Sequence, residues 1–265
     1  MAYRVRDDHK LPAAADLPNP QSTPTRTNWA ALHHAYGLAK DAPETLTALL
    51  DTDQGVRTKA LDNLFDILHH QGTIYEATVP TARYVSALLP DPRTKLSVGK
   101  SHRSFPGCIR ADLLSWLGSV ADSVTDTVDE VGQRLGFPLD DHPPAVAMRE
   151  IRPLLLSAVL PYINDSDRAV REGAIAACIP LLDDVRLLHH RAALVPLVRQ
   201  VLETSELWQH RERAIDALDA WGESSAGLEG QRNPFLFCDT DPLPDCTSWH
   251  SAANGTEEWP EDPPF

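Results

Sequence analysis

An internal repeat constrains the fold of this chain more than any other feature. The stretch LLDTDQGVRTKALDNLFDIL at 49–68 aligns without gaps with INDSDRAVREGAIAACIPLL at 163–182. Both copies place two aspartates before a Val-Arg pair, and apolar residues then follow at helical spacing. Repeats of this kind predict a stack of similar helical units, because one unit alone cannot bury its apolar face.

Two further copies fit the same frame less closely. The intervals between the aligned arginines are 53, 61 and 40 residues, and these arginines are Arg57, Arg110, Arg171 and Arg211. Helical-hairpin repeats run about 40 to 47 residues. The longer intervals therefore need inserted loops, and the Gly- and Pro-containing stretches 90–107 and 136–144 would supply them.

The repeat predicts a structural role for its charged residues. Asp51 with Asp53, and Asp165 with Asp167, are expected to cap the helix that follows each pair and to favour its positive end. Each aligned arginine is expected to bridge to the turn carboxylates of its own or a neighbouring repeat. The small residue three positions after the arginine would let neighbouring helices approach.

Apolar residues recur at intervals near 3.6 through the middle of the chain, which indicates helices. Strands are expected to be rare, since no alternating β-branched run exceeds four residues. The segments predicted to be helical are 43–50, 54–70, 77–89, 108–121, 145–163, 168–182, 190–203 and 206–221. We therefore predict an all-α repeat domain at 28–222, between a flexible N-terminal arm at 1–27 and an acidic Pro- and aromatic-rich tail at 223–265.

Two motifs lie near the start of the helical region. The first, W-x-x-L-x-x-A-Y-G, spans Trp29 to Gly37, and the second, H-Q-G-x-x-Y-x-A-T, spans His70 to Thr78. With these motifs the stretch 28–89 resembles the N-terminal part of a bacterial HEAT-repeat family, and the Asp…Val-Arg…Ala units look like HEAT repeats. The resemblance implies a right-handed α-α superhelix (a HEAT-like solenoid) that serves as a protein-binding scaffold. It also implies the role of an immunity protein that neutralises a toxin.

The charge of the chain narrows the choice of partner. The formal net charge is −14, and the tail holds nine acidic residues against one base. This balance argues against nucleic acid and against an anionic membrane surface, both of which call for a basic stripe. A basic protein is the natural complement, although solubility alone would also explain the charge. With no apolar run long enough to span a bilayer and no secretory signal, a cytoplasmic location is expected.

The second helix of each repeat is expected to line the concave face of the stack. Polar residues recur there one, two and five positions after the aligned arginines, and the row is net acidic. We predict that this row binds a basic partner, although a plain solvated face would have the same composition. The candidate partner-binding residues are Asp62, Asp112, Glu172, Glu212 and Asp216.

Nothing in the sequence points to catalysis or to a cofactor. The eleven histidines include three adjacent pairs, but neighbouring residues on a helix point about 100° apart and so rarely share one metal. Cys238 and Cys246 lack further ligands at zinc spacing, and no phosphate loop or nucleophile motif is present. We therefore expect a non-enzymatic protein without metal. The alternative is a metal-dependent accessory or enzymatic HEAT-repeat protein.

The tail combines acidic residues with large apolar ones. Two interpretations compete, since the tail could cap the last hairpin of the stack or could act as a free acidic-aromatic ligand for a partner. We favour partial packing of 231–249. The large apolar residues of the tail are Phe235, Leu236, Phe237, Leu243, Trp249, Trp259 and Phe265.

Overall fold

The structure, a computed structural model, describes residues 11–12, 16–99, 107–205 and 207–226. These residues are mostly helical, which confirms the all-α prediction. Their eleven α-helices are α1 (Thr23–Arg26), α2 (Ala42–Ala48), α3 (Gln54–Asn63), α4 (Thr78–Leu88), α5 (Ile109–Asp122), α6 (Asp126–Leu135), α7 (Pro143–Glu150), α8 (Arg152–Val159), α9 (Arg168–Leu181), α10 (Arg191–Thr204) and α11 (Trp208–Ala220).

Short segments of other types join these helices. A π-helical turn, Leu64–Leu68, continues α3, and 3-10 turns include Pro92–Lys95 and Leu139–Asp141. Two short strands of two residues each, β1 (His33–His34) and β2 (Gly37–Leu38), pair in antiparallel register and form a hairpin. Gly37 adopts a φ of 127°, a conformation that side chains disfavour, and so allows the tight turn.

Seven of the eight predicted helical segments each correspond to one α-helix. For the segment 54–70 that helix is α3 together with the π turn that continues it. The segment 145–163 forms two helices, α7 and α8, because the helix is interrupted at Ile151. Pro153 explains the break. Its ring has no N–H to donate and would clash with the carbonyl of residue 149 in a continuous helix, whereas it fits the first turn of a new one.

Helix α6 was not predicted. Its sequence DTVDEVGQRL has only three large apolar residues, and Gly132 lowers its helix propensity. The helix forms because its ends are satisfied. The Asp126 N–H donates to the Asp183 carboxylate at 2.6 Å, and Gly136 ends the helix with a φ of 83°.

The core is centred on α5 and α9, which pack on each other along their length. Helix α5 also packs on α4, whereas α9 also packs on α8, α10 and α11. Two glycines allow the close approach. A Cβ on Gly118 would lie 3.0 Å from the Ala177 Cα, and one on Gly173 would lie 3.3 Å from the Ala111 carbonyl oxygen. The largest fully buried side chains of α5 are Ile109, Leu113, Leu114, Trp116 and Leu117.

The flanking segments are only partly described. The end of the predicted arm, from Thr23 to Arg26, forms α1, which packs on α2. At the other end the description stops at residue 226, so the predicted packing of 231–249 and the cysteines at 238 and 246 lie outside the described residues.

Candidate functional site

In each aspartate pair of the repeat the second aspartate caps the helix that follows, and the first binds the second. The first aspartate of each pair accepts from the N–H of the second, at 2.7 Å for Asp51 and 2.9 Å for Asp165. The second aspartate accepts from the first turn of the helix. Asp53 accepts from the Val56 N–H at 3.0 Å, and Asp167 accepts from the Ala169 N–H at 2.9 Å.

The aligned arginines bind backbone carbonyls more than the predicted carboxylates. Arg57 and Arg171 each donate to the carbonyl oxygen six residues earlier, at 2.8 and 2.7 Å, and Arg211 donates to the equivalent carbonyl of Ser205. Arg110 also donates to carbonyls, and in addition its Nη1 lies 4.0 Å from Asp165 Oδ2 of another repeat. These arginines therefore hold the turns together and are structural.

The predicted acidic row does not form one exposed surface. Asp62 and Asp112 are half-buried on α3 and α5, and Glu172 is buried on α9. Only Glu212 and Asp216, both on α11, line a common hollow.

Glu172 is the clearest departure from that prediction. Its carboxylate accepts from the Arg168 guanidinium and from the Ser205 hydroxyl, both at 2.7 Å, and His210 Nδ1 lies 3.9 Å away. Burial by itself would raise the pKa of Glu172, but the contacts with His210, Arg168 and Ser205 outweigh it and lower the pKa to about 2. The side chain thus joins α9 to the turn before α11, and it is not presented to a partner.

Asp112 is also shielded in part. One carboxylate oxygen, Oδ2, is buried with no hydrogen-bond partner among the described residues. Burial, and then the charge of Asp62, raise the pKa of Asp112 to about 7. This carboxyl is therefore only partly ionised near neutral pH, which weakens its attraction for a basic partner.

An acidic groove lies between α5, α9, α11 and the start of α6. Two hollows of about 330 and 320 Å³ adjoin there, and they share Asp122, Ile179, Asp216 and Ala217. We use the name acidic groove for both hollows together. The charged residues of the groove are Asp122, Asp183, Glu212, Asp216, Arg191 and Arg213.

Two guanidiniums occupy part of this groove. Arg213 Nη2 lies 3.3 Å from Asp122 Oδ2, and Arg191 Nη2 lies 3.7 Å from Asp183 Oδ1. The four carboxylates outnumber them, so the groove keeps an excess of negative charge. It can therefore accept lysine or arginine side chains from another molecule.

Sequence reasoning missed half of these carboxylates. Asp122 ends α5, and Asp183 lies in the turn after α9. Asp183 accepts the first N–H of α6, a helix that begins 57 residues earlier in the chain. No local pattern connects the two segments.

Residues of the two motif segments form part of the lining of a second cavity. This cavity, of about 670 Å³, lies between β1, the connection 73–76, the start of α4 and the start of α7, and most of its lining is apolar. At its rim His33 Nδ1 lies 2.9 Å from Glu76 Oε2. Contacts with the His33 side chain and backbone lower the pKa of Glu76. Other motif residues are structural, since Trp29 is buried and Thr78 donates to the Leu68 carbonyl.

Within the described ranges, no three His, Cys, Asp or Glu side chains come together in a way that could hold a metal ion. None of the helices in this part of the chain has the length and apolar character needed to cross a membrane.

Comparison with protein-family models, with curated protein sequences and with solved structures gives no match to this chain. The function is therefore inferred from the geometry of the described residues.

Proposed function

We propose that this chain is a HEAT-like α-α superhelix that acts as a non-enzymatic scaffold and binds a basic protein in the acidic groove. One observation carries the proposal. Carboxylates from three separate parts of the chain, namely the end of α5, the turn after α9 and the exposed side of α11, converge on one groove. Two guanidiniums, those of Arg191 and Arg213, balance only part of this charge, and the remaining excess of negative charge would favour a cationic partner.

Features of the repeat support the superhelical arrangement. The same arginine-to-carbonyl contact, six residues apart, recurs at the start of α3, α9 and α11. Helices α5, α9 and α11 also contact each other in order, as second helices of successive hairpins do in a stack. A basic toxin or nuclease is the partner implied by the resemblance of 28–89 to HEAT-repeat proteins, and the chain would then be its immunity protein.

The proposal is tested by removing charge from the groove. The double variant Glu212→Gln/Asp216→Asn removes two carboxylates on α11. The charge-matched control Glu44→Gln/Glu203→Gln removes two exposed carboxylates on α2 and α10. We expect the groove variant to bind a ten-lysine peptide about three- to tenfold more weakly than the control does, as measured by calorimetry at low salt.

Capture from native lysate gives the second readout. The control and the parent chain should retain the same basic proteins, and the groove variant should lose them. Equal binding by the two variants, with circular dichroism showing both folded, would contradict the proposal.

A further inference from the structure

Helix α6 carries an exposed apolar stripe. Val128, Val131 and Leu135 recur at positions i, i+3 and i+7, so they lie on one face of the helix. Their exposed fractions are 39, 41 and 68 %, and that of the adjacent Phe137 is 78 %. None of the ten residues of α6 is buried. We use the name α6 stripe for these four side chains.

The geometry that presents the stripe is fixed by specific contacts. The Phe137 N–H donates to the Gly132 carbonyl at 2.8 Å, and the Gly136 N–H donates to the Gln133 carbonyl at 3.1 Å. These two bonds form a Schellman motif, in which Gly136 takes the left-handed position. A Cβ on Gly132 would lie 2.5 Å from the Phe137 carbonyl oxygen. The two glycines thus hold Phe137 close to the end of the helix.

The stripe is continuous with the acidic groove. Val128 belongs to both, since it also lines the groove beside Asp122 and Asp183. The hydrogen bond from the Asp126 N–H to Asp183 fixes the start of α6 at the edge of the groove.

Acidic residues surround the stripe. The segment 126–141 contains five carboxylates and one base, Arg134. Arg149 lies 3.4 to 3.7 Å from three of the five. Glu130 and Asp141 are the other two, and both are exposed. An apolar stripe with acidic surroundings is complementary to a helix with one apolar face and basic flanks.

We infer that the α6 stripe and the acidic groove together bind a basic amphipathic helix of a partner protein. This inference rests on the proposed function and specifies its partner. The apolar face of the partner helix packs on Val128, Val131, Leu135 and Phe137. Its lysines and arginines contact the carboxylates of the groove and of α6.

The test uses a peptide of defined chemistry. The probe is an acetylated 14-residue peptide of leucine and lysine, with leucines at helical spacing along one face. Its controls are a scrambled peptide of the same composition and a version with glutamate for lysine. The double variant Leu135→Ser/Phe137→Ser removes two exposed side chains of the stripe. Leu38→Ser removes an exposed leucine on β2 and serves as the control variant.

We expect the stripe variant to bind the helical probe about tenfold more weakly than the parent chain does, as measured by fluorescence anisotropy. Leu38→Ser should leave the affinity unchanged, and the scrambled peptide should bind the parent and the stripe variant equally weakly. The glutamate version should not bind.

Other outcomes would overturn the inference. If the stripe variant binds the probe as well as the parent does, while Glu212→Gln/Asp216→Asn weakens it, the groove is a site for charge alone and the proposed function stands. If the glutamate version binds, the charge argument is wrong. If light scattering shows a dimer that the stripe variant makes monomeric, a second copy of the chain covers the stripe.

Discussion

Single residues at equivalent positions of the repeat have different environments. Thr58, Glu172 and Glu212 each follow an aligned arginine, but Glu172 is buried between α9 and the turn before α11, whereas Glu212 lines the acidic groove. The difference comes from the neighbouring element. Ser205 and His210 contact Glu172 and bury it, whereas Glu212 is only half-buried. An equivalent position in the repeat therefore predicts where a residue lies in its helix but not whether its side chain is exposed.

At this scale Asp112 gives a pH-dependent prediction. Replacing Asp112 with Asn should stabilise the protein at pH 8 and have little effect near pH 4. Burial, and then Asp62, raise the pKa of Asp112 to about 7. The contribution of this carboxyl to the free energy of unfolding is therefore most favourable below pH about 4, the pKa of an aspartate in the unfolded chain. That contribution is lost as the pH rises through about 7, the pKa in the folded protein. We expect a gain of roughly 1 to 3 kcal/mol at pH 8 in urea unfolding, after allowance for partial exposure.

The variant Asp62→Asn provides the comparison for Asp112. It removes the neighbouring charge but not the burial, so it should give a smaller gain over the same pH range. A lower stability of Asp112→Asn at pH 8 would show that the ionised carboxyl has a favourable contact in the folded protein.

At the scale of elements, packing and termination decide where helices lie. Helices α5 and α9 approach closely because Gly118 and Gly173 remove side chains from their interface. Helix α6 forms although its sequence has only three large apolar residues. Asp183 accepts a hydrogen bond from its first N–H group, and the Gly136 N–H donates to carbonyls of its last turn. Helices α7 and α8 are separate because of Pro153.

Gly118 gives the prediction that belongs to this scale. Alanine is normally about 1 kcal/mol better than glycine inside a helix. At Gly118, however, the added methyl group would lie 3.0 Å from the backbone of Ala177. We expect Gly118→Ala to lower the free energy of unfolding by about 1 to 3 kcal/mol, because α5 and α9 would have to separate.

Chemical denaturation measures this effect. Ser115→Ala, at an exposed position of the same helix, should be neutral or slightly stabilising and is the control. A more stable Gly118→Ala variant would mean that the interface of α5 and α9 accommodates the methyl group.

At the scale of the whole molecule, the described helices lie within one compact unit that ends at Ser225. Many of the contacts between its helices involve α5 or α9, which lie at the centre of the core. The proposed binding surface of this unit is formed by residues that are far apart in the chain, such as Asp122 and Asp216.

Truncation tests this organisation. Deleting 231–265 should preserve the helical circular dichroism spectrum, because the described helices remain complete. The sequence-based prediction that 231–249 packs on the helices requires, in addition, a lower melting temperature for the truncated chain. An unchanged melting temperature would contradict that prediction.

The sequence by itself determined most helices, the caps at Asp53 and Asp167, and the structural role of the aligned arginines. Most of these depend on contacts within about six residues of the chain, which a local pattern records. The tertiary structure alone decided that Glu172 is buried, that Asp122 and Asp183 join Asp216 in one groove, and that the α6 stripe borders it. Those outcomes depend on which distant helix covers a residue, and the repeat does not encode that.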